Sequence, residues 1–313
     1  MNDFAGFLAD KVDAYIQLRQ SLGYRFRKQA ATLRAFGRFV TQGAHGGPLT
    51  QELALAFVRT RHVRPGHGAV PYGVIVRFAE YLAVFDSRTD RLDPRALPRA
   101  RAMPAPRILD DGELAQLLAA ARDGSPWHPL RGVTLSTIIG LLASTGLRSG
   151  EALRLDCADV DLARGQLQIR QTKFRKDRLV PVHPSTREAL RAYAAARDRA
   201  FPRSASPAFF LSLRGRRLAP TCLTTGFRQA ATRAGLDRGV PRPPRPHDLR
   251  HRFAVTRLAR WHHEGVDVQR RLPLLATYLG HARYSDTAYY VTGTAELLGM
   301  AAERAFGRSG GAS

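Results

Sequence analysis

Residues 130–151, LRGVTLSTIIGLLASTGLRSGE, are the stretch on which the interpretation of the whole chain depends. Apolar side chains dominate residues 130–144 and predict a long helix that ends before Gly146. The apolar run is shorter than the roughly 20 residues that a membrane-spanning helix needs. Arg148 follows at the start of the next element, where a guanidinium and free backbone N–H groups can bind an anion together. A surface ion pair with Glu151 is the alternative.

A charged turn joins two predicted strands further along the chain. Residues 166–170 and 178–182 alternate in polarity and contain β-branched side chains, as the strands of a hairpin do. A lysine at the tip of a hairpin can release a proton, which an arginine cannot. A solvated hairpin tip is the alternative. The cations of this turn are Lys173, Arg175, Lys176 and Arg178.

The stretch His247-Asp248-Leu249-Arg250-His251 follows a proline-rich segment and begins a predicted helix. His247 and Arg250 are three positions apart, so they share a face near the positive end of that helix. This pattern can present an imidazole and a guanidinium to one phosphate. The alternative is a metal site made by His247 and His251. Asp248 replaces the glutamate of that motif and no third ligand is evident, so no metal is expected.

Two further motifs lie near the C-terminus. Leu279-Gly280-His281 ends a predicted helix with a glycine in the C-cap position. Tyr289 and Tyr290 follow on the next helical stretch. Taken alone, each tyrosine is more typical of a core or its rim than of a nucleophile.

The chain length favours two domains. Helical spacing of apolar residues predicts a helical bundle in residues 1–86. A linker is predicted at residues 87–106, where the helical pattern disappears and prolines stand among arginines. A second domain is predicted at residues 107–306, and a disordered tail at 307–313. The predicted helices are 4–22, 28–40, 50–61, 71–84, 114–122, 130–144, 186–199, 220–234, 247–263, 268–279 and 285–306.

The net charge indicates the kind of partner. The 313 residues contain 49 Lys+Arg and 26 Asp+Glu, which gives a formal net charge of +23. Because both halves are basic, nucleic acid is the expected partner and a membrane surface is the lesser alternative. Cys157 and Cys222 are too few for a disulfide framework or a four-cysteine zinc site. Acidic Asp3 and Asp10 are unlike a secretory signal, so we expect a soluble, cytoplasmic protein.

Taken in chain order, these motifs resemble those of the tyrosine recombinase (phage integrase) family. Each motif is weak alone, but the set has the family's order and spacing over about residues 107–300. The resemblance implies a mainly α fold with a small β-sheet. It also implies two parts, which are an N-terminal helical (SAM-like) core-binding bundle that binds DNA and a mixed α+β catalytic domain.

The resemblance assigns roles to particular residues. Arg148 and Arg250 match the two arginines that clamp the scissile phosphate, and Tyr290 matches the nucleophile. Tyr289 is its rival, because the residues around the pair depart from the commoner Ser-Thr-Thr-x-x-Tyr form. The other assigned residues are catalytic Lys173, His247 and His281 and supporting Glu151 and Asp248. The remaining cations of the hairpin turn are expected to bind DNA, since a hairpin tip can enter a groove; they are Arg175, Lys176 and Arg178.

The implied activity is site-specific DNA recombination through a 3′-phosphotyrosyl intermediate. Two arginines and histidine donors can stabilise charge on the phosphate oxygens without a metal, and Lys173 is expected to protonate the leaving 5′-oxygen. The phosphotyrosyl bond keeps the energy of the phosphodiester, so no cofactor or ATP is expected. The expected partners are a double-stranded DNA recombination site, a homotetramer on two such sites, and accessory DNA-bending or partner recombinase proteins.

Two other functions stay open from the sequence, a type IB topoisomerase that relaxes supercoils and a non-catalytic DNA-binding protein. Residues 294–306 are too apolar for a free helix. They are expected to dock either on a neighbouring protomer or on their own domain.

Overall fold

The structure is a computed structural model that describes residues 3–61, 68–98, 106–124, 128–170, 177–240 and 242–280. The chain divides into two compact units, residues 1–104 and 105–313. The predicted helix 285–306 and the tail 307–313 lie outside the described residues. No helix among the described residues is long and apolar enough to cross a membrane.

The first unit is a helical bundle, as predicted. Its core is apolar and partly aromatic, with Leu33 and Phe36 fully buried and the rings of Phe36 and Phe57 packed edge to face at 5.2 Å. Thr50 caps one helix by accepting a hydrogen bond of 3.2 Å from the backbone N–H of Leu53. The helices described in this unit are α1 (Asp3–Ser21), α2 (Arg27–Gln42), α3 (Gln51–Thr60) and α4 (Ala69–Leu82).

The described part of the predicted linker, residues 87–98, packs against the first unit. Leu92 is 4% exposed, and the Tyr72 hydroxyl donates a hydrogen bond of 2.9 Å to the carbonyl of Asp93. Gln51 binds this segment twice, donating its N–H to Asp90 and accepting from the N–H of Asp93. The structure therefore places residues 87–98 with the bundle and not in a free linker. Because the segment is held largely by hydrogen bonds, its sequence shows no periodic pattern of apolar residues from which this packing could be predicted.

The second unit is mainly α-helical with one small sheet, as predicted. Its long apolar helix α6 is buried along most of its length, with Ile138 and Leu142 fully covered. Asp110 and Glu113 form the capping box that begins α5. The helices described in this unit are α5 (Asp111–Asp123), α6 (Pro129–Thr145), α7 (Ser149–Arg154), α8 (Pro184–Ala200), α9 (Pro220–Arg233), α10 (Pro246–His263) and α11 (Val268–Leu279).

The sheet contains the predicted hairpin and one further strand. Strands β1 (Val160–Asp161), β2 (Gln166–Ile169) and β3 (Arg178–Pro181) are antiparallel in the order β1-β2-β3. Leu167 pairs with Val180, and both side chains are fully buried against the core. The two-residue strand β1 is too short to show alternation, which explains why the pattern does not predict it.

Candidate active site

The junction between α6 and α7 presents Arg148. Gly146 ends α6 at a φ of +63°, and a Cβ there would lie 2.6 Å from the ring of Phe253. A side chain at this position is therefore excluded by both strain and packing. The backbone N–H of Arg148 donates to Glu151 at 3.0 Å, and a guanidinium N–H does the same at 3.0 Å. The side chain of Arg148 is still 33% exposed.

Glu151 is the buried centre of this cluster. Its side chain is 3% exposed and accepts hydrogen bonds from the guanidinium of Arg178 at 2.9 and 3.2 Å, in addition to those from Arg148. Burial alone would raise the pKa of the carboxyl, but hydrogen bonds and charge from Arg178 and Arg148 outweigh it and lower the pKa. Glu151 is therefore ionised and held between two guanidinium groups.

Arg178 does not lie where the sequence placed it, among the DNA-binding cations of the hairpin turn. Its side chain is 12% exposed, and its Nε donates a hydrogen bond of 2.9 Å to the carbonyl of Tyr278 while the other nitrogens hold Glu151. As the first residue of β3, it lies against α7 and the end of α11, and not on the exposed side of the hairpin.

The first turn of α10 carries the second group of site residues. The side chain of Asp248 is fully buried and accepts hydrogen bonds of 2.8 Å from both the Arg245 backbone N–H and the Arg242 guanidinium. This carboxylate satisfies free N–H groups at the helix start. Asp248 thus holds the first turn of α10, which carries His247 and Arg250, and its supporting role in catalysis stays a prediction.

Arg250 connects three parts of the chain. It is 1% exposed, and its two terminal nitrogens donate to the carbonyls of Gly146 at 2.7 Å and Leu279 at 2.8 Å. Arg148 donates to the carbonyl of the next residue, Gly280, at 3.2 Å. The two arginines, 102 positions apart by their numbers, therefore meet at neighbouring carbonyls.

Three guanidinium groups converge on the C-terminal end of α11. Arg178, Arg250 and Arg148 bind the carbonyls of the consecutive residues 278, 279 and 280. The last carbonyls of a helix have no partner within the helix and carry its negative dipole end, so cations are stabilised there. This arrangement keeps positive charge concentrated at one place in the unit.

His247 and His251 form an edge-to-face pair with ring centroids 4.8 Å apart. Burial, and then the charge of Arg250, lowers the pKa of His247. Burial, and then the neighbouring His247, lowers the pKa of His251 to about 4. Both imidazoles are therefore neutral at neutral pH, and a neutral imidazole can donate one hydrogen bond to a phosphate. No group of three or more metal-ligating side chains occurs among the described residues.

Six further candidates lie outside the described residues. The elements that lead to them nevertheless reach the site: β3 begins at Arg178, and α11 ends one residue before Gly280. The roles assigned to the six stay predictions. They are Lys173, Arg175, Lys176, His281, Tyr289 and Tyr290.

Sequence reasoning missed two partners in the site. Arg178 binds Glu151 and Arg242 binds Asp248, and in each case the sequence offers only an arginine among many. The chain contains 49 Lys+Arg, so charge alone does not select these two. Only the packing of β3 on α7 and of the proline-rich segment on α10 distinguishes them.

Comparisons with known proteins identify the family of the chain. The family model of the phage integrase family matches residues 107–296. The chain is 58% identical to the putative integrase/recombinase y4rE of Sinorhizobium fredii, over 98% of each chain. It is 30% identical to the tyrosine recombinase XerD of Caulobacter vibrioides, over 85% of this chain and 87% of the relative.

A solved structure has the same fold. It is that of the XerH site-specific recombinase bound to palindromic difH substrate, with a TM-score of 0.65 and 18% identity over 96% of this chain and 84% of that one.

Proposed function

The chain belongs to the phage integrase family of tyrosine recombinases, and we propose that it cuts and rejoins DNA at specific sites through a 3′-phosphotyrosyl intermediate. As a tyrosine-type site-specific recombinase, it acts on DNA strands. We further propose that the reaction needs neither a metal nor ATP, because the described site offers arginines and imidazoles for charge stabilisation.

The observation that carries the proposal is the convergence of Arg148, Arg250 and His247. Both guanidinium groups bind neighbouring carbonyls at the end of α11, and His247 lies in the first turn of α10, three positions before Arg250. A phosphodiester under attack gains negative charge on its non-bridging oxygens, and preorganised N–H donors stabilise that charge. Two arginines and a neutral imidazole in one place are suited to this task.

The two arginines differ in their access to a substrate. Arg148 has a third of its side chain exposed, whereas Arg250 is 1% exposed. Arg148 is therefore the more accessible of the two arginines to a phosphate.

The remaining chemistry is assigned from the motifs. Tyr290 gives its phenolic proton to solvent water and attacks phosphorus, so that a bond to the phenolic oxygen forms and the bond to the 5′-oxygen breaks. Lys173 gives a proton to that oxygen, and His281 adds a hydrogen bond to the phosphate. Attack by a 5′-hydroxyl of another strand reverses the step and rejoins the DNA.

The proposed assembly is a homotetramer on two DNA sites, because recombination exchanges both strands at two sites and each protomer cuts one strand. Accessory DNA-bending or partner recombinase proteins belong to the same proposal. Since the substrate is duplex DNA, we place the reaction in the cytoplasm.

The decisive experiment compares Tyr290→Phe with Tyr289→Phe. The substrate is a nicked DNA duplex carrying the recombination site, on which the covalent complex accumulates and is measured on denaturing gels. We expect Tyr290→Phe to abolish the complex with unchanged DNA binding, because only the nucleophilic oxygen is lost. The matched variant Tyr289→Phe should retain it.

The opposite result would move the nucleophile to Tyr289. If both single variants and the double variant still formed the complex, the phosphotyrosyl mechanism would be wrong.

A further inference from the structure

A largely buried chain of charged side chains links Arg148 to the β-hairpin. Glu151 lies between Arg148 and Arg178, with nitrogen–oxygen distances of 3.0 Å on one side and 2.9 Å on the other. Exposure of the side chains falls from 33% at Arg148 to 12% at Arg178 and 3% at Glu151. Arg148 is thus the member of this chain that is most exposed to solvent.

The charges of this chain do not cancel. One carboxylate between two guanidinium groups leaves one positive charge in excess. If Glu151 faced Arg148 alone, that pair would be neutral, and the buried carboxylate would draw the donors of Arg148 to itself to satisfy its own lone pairs. Both changes would weaken the hold of Arg148 on a phosphate.

We propose that Arg178 is a positioning residue for strand cleavage. It satisfies and neutralises Glu151, so that Arg148 keeps its charge and its outward N–H groups for the scissile phosphate. The inference rests on the proposed function, since it takes Arg148 to bind that phosphate.

The contact of Arg178 with α11 supports this role. Its Nε bonds the carbonyl of Tyr278, while its other two nitrogens bond Glu151. Gly280 packs directly against it, and a Cβ at that position would lie 2.7 Å from Nη1 of Arg178. One guanidinium therefore fixes α7 and the end of α11 relative to each other, and that end also receives Arg148 and Arg250.

The residue type follows from the geometry. A guanidinium presents a planar set of N–H donors that can bind a carboxylate through two nitrogens and a carbonyl through the third. A lysine can supply the charge but not this double contact. Substitution of Arg178 by lysine therefore keeps the positive charge and removes the double contact, whereas substitution by glutamine removes the charge.

The test uses the full chain and five variants on the nicked substrate. Arg178→Gln removes the charge, and Arg178→Lys keeps it. Glu151→Gln, alone and combined with Arg178→Gln, completes a double-mutant cycle. Arg170→Gln is the matched control, because Arg170 also pairs with a buried carboxylate at the base of the hairpin, Asp159, at 2.6 Å.

Three quantities are measured for each variant: the cleavage rate at saturating DNA, the affinity for DNA and the thermal unfolding midpoint. We expect Arg178→Gln to slow cleavage by about 100-fold with affinity nearly unchanged, the size of effect seen when a transition-state donor is lost. Arg178→Lys should fall between this variant and the unsubstituted chain.

The double variant separates positioning from folding. When the charges of both Glu151 and Arg178 are removed, no buried carboxylate neutralises Arg148, and its positive charge is available to the phosphate. We therefore expect cleavage to recover at least tenfold relative to Arg178→Gln. Arg170→Gln should cleave like the unsubstituted chain.

Several results would overturn the inference. Cleavage by Arg178→Gln within threefold of the unsubstituted chain would do so, as would a double variant no faster than Arg178→Gln. Loss of affinity with normal cleavage at saturating DNA would make Arg178 a DNA contact. If the unsubstituted chain formed no covalent complex, the proposed function itself would fail and the inference with it.

Discussion

The two units differ in how many charged side chains they bury. In the first unit, the buried side chains of the described residues are apolar apart from Asp86 and Thr89. The second unit has an apolar core of similar kind, but it also buries several charged groups. These are Glu151, Asp159, Asp248, Arg250 and Arg252.

This difference indicates which part of the second unit forms its proposed functional site. Burying a charge costs free energy unless hydrogen bonds and an opposite charge compensate it, and a paired buried charge is rarely better for stability than an apolar residue. The first unit bears that cost at one described side chain, Asp86, which pairs with Arg88 at 2.9 Å. The second unit bears it at Glu151, Asp248 and Arg250, the residues around which the proposed phosphate site is built.

The largest effect that separates the two units is expected from Phe36→Ala. Phe36 is fully buried in the first unit and packs against Phe57. Losing its ring should destabilise that unit by about 3–5 kcal/mol, through lost burial and the cavity left behind. Hydrogen exchange resolved by peptide should show reduced protection in α1–α4 and unchanged protection in α6 and α10.

A decrease of less than 1 kcal/mol in the protection free energy of α1–α4 would contradict the stability effect expected for Phe36. An equal loss of protection in α6 and α10 would show that the stability of the second unit depends on the core of the first.

A smaller effect is expected from breaking a buried ion pair in the second unit. Asp248→Asn removes the charge that holds Arg242 and weakens the bond to the Arg245 N–H. We expect the free energy of unfolding of this unit to fall by about 2 kcal/mol, the usual scale for hydrogen bonds to a charged group. Hydrogen exchange in α10 measures it.

Its control is Asp13→Asn in the first unit, where Asp13 and Arg34 form a pair 3.4 Å apart with more than half of each side chain exposed. That change should cost less than about 0.5 kcal/mol. Equal effects of the two substitutions would show that burial of charge does not distinguish the units.

A third expected effect is a dependence of stability on pH. Unfolded histidine has a pKa of about 6.5, whereas folding lowers the pKa of His251 to about 4 and also lowers that of His247. Between these values the unfolded chain binds protons that the folded chain does not, so the second unit loses stability as pH falls from about 6.5 to about 4.

Urea unfolding at several pH values should show a shallower dependence for His251→Gln than for the unsubstituted chain. The matched control, His262→Gln, removes an exposed imidazole at the other end of α10. An unchanged slope in His251→Gln would contradict the role given to burial of this ring.

Much of the fold could be predicted because its signals are local. The apolar run of α6, the alternation of β2 and β3 and the capping box at Asp110 and Glu113 are all contained within short stretches. The packing of residues 87–98 was not predictable in this way, since their hydrogen bonds go to Gln51 and Tyr72 earlier in the chain.

The residue types of the candidate site could be predicted from the sequence, but the hydrogen bonds and ion pairs between them could not. Motif order identified Arg148, His247 and Arg250, and the structure brings their elements together at the end of α11. The bonds of Arg178 to Glu151 and Tyr278 span 27 and 100 positions of the chain. No local pattern records a contact of that length.

The sequence by itself therefore determined the helices, the hairpin, the basic character and the family, because propensity, periodicity, charge and motif spacing are properties of the chain. Only the tertiary structure decided how exposed each arginine is and which carboxylates and carbonyls it binds. The direction of a long side chain depends on what packs around it, and the partners of these arginines come from α7, α10 and α11 at once.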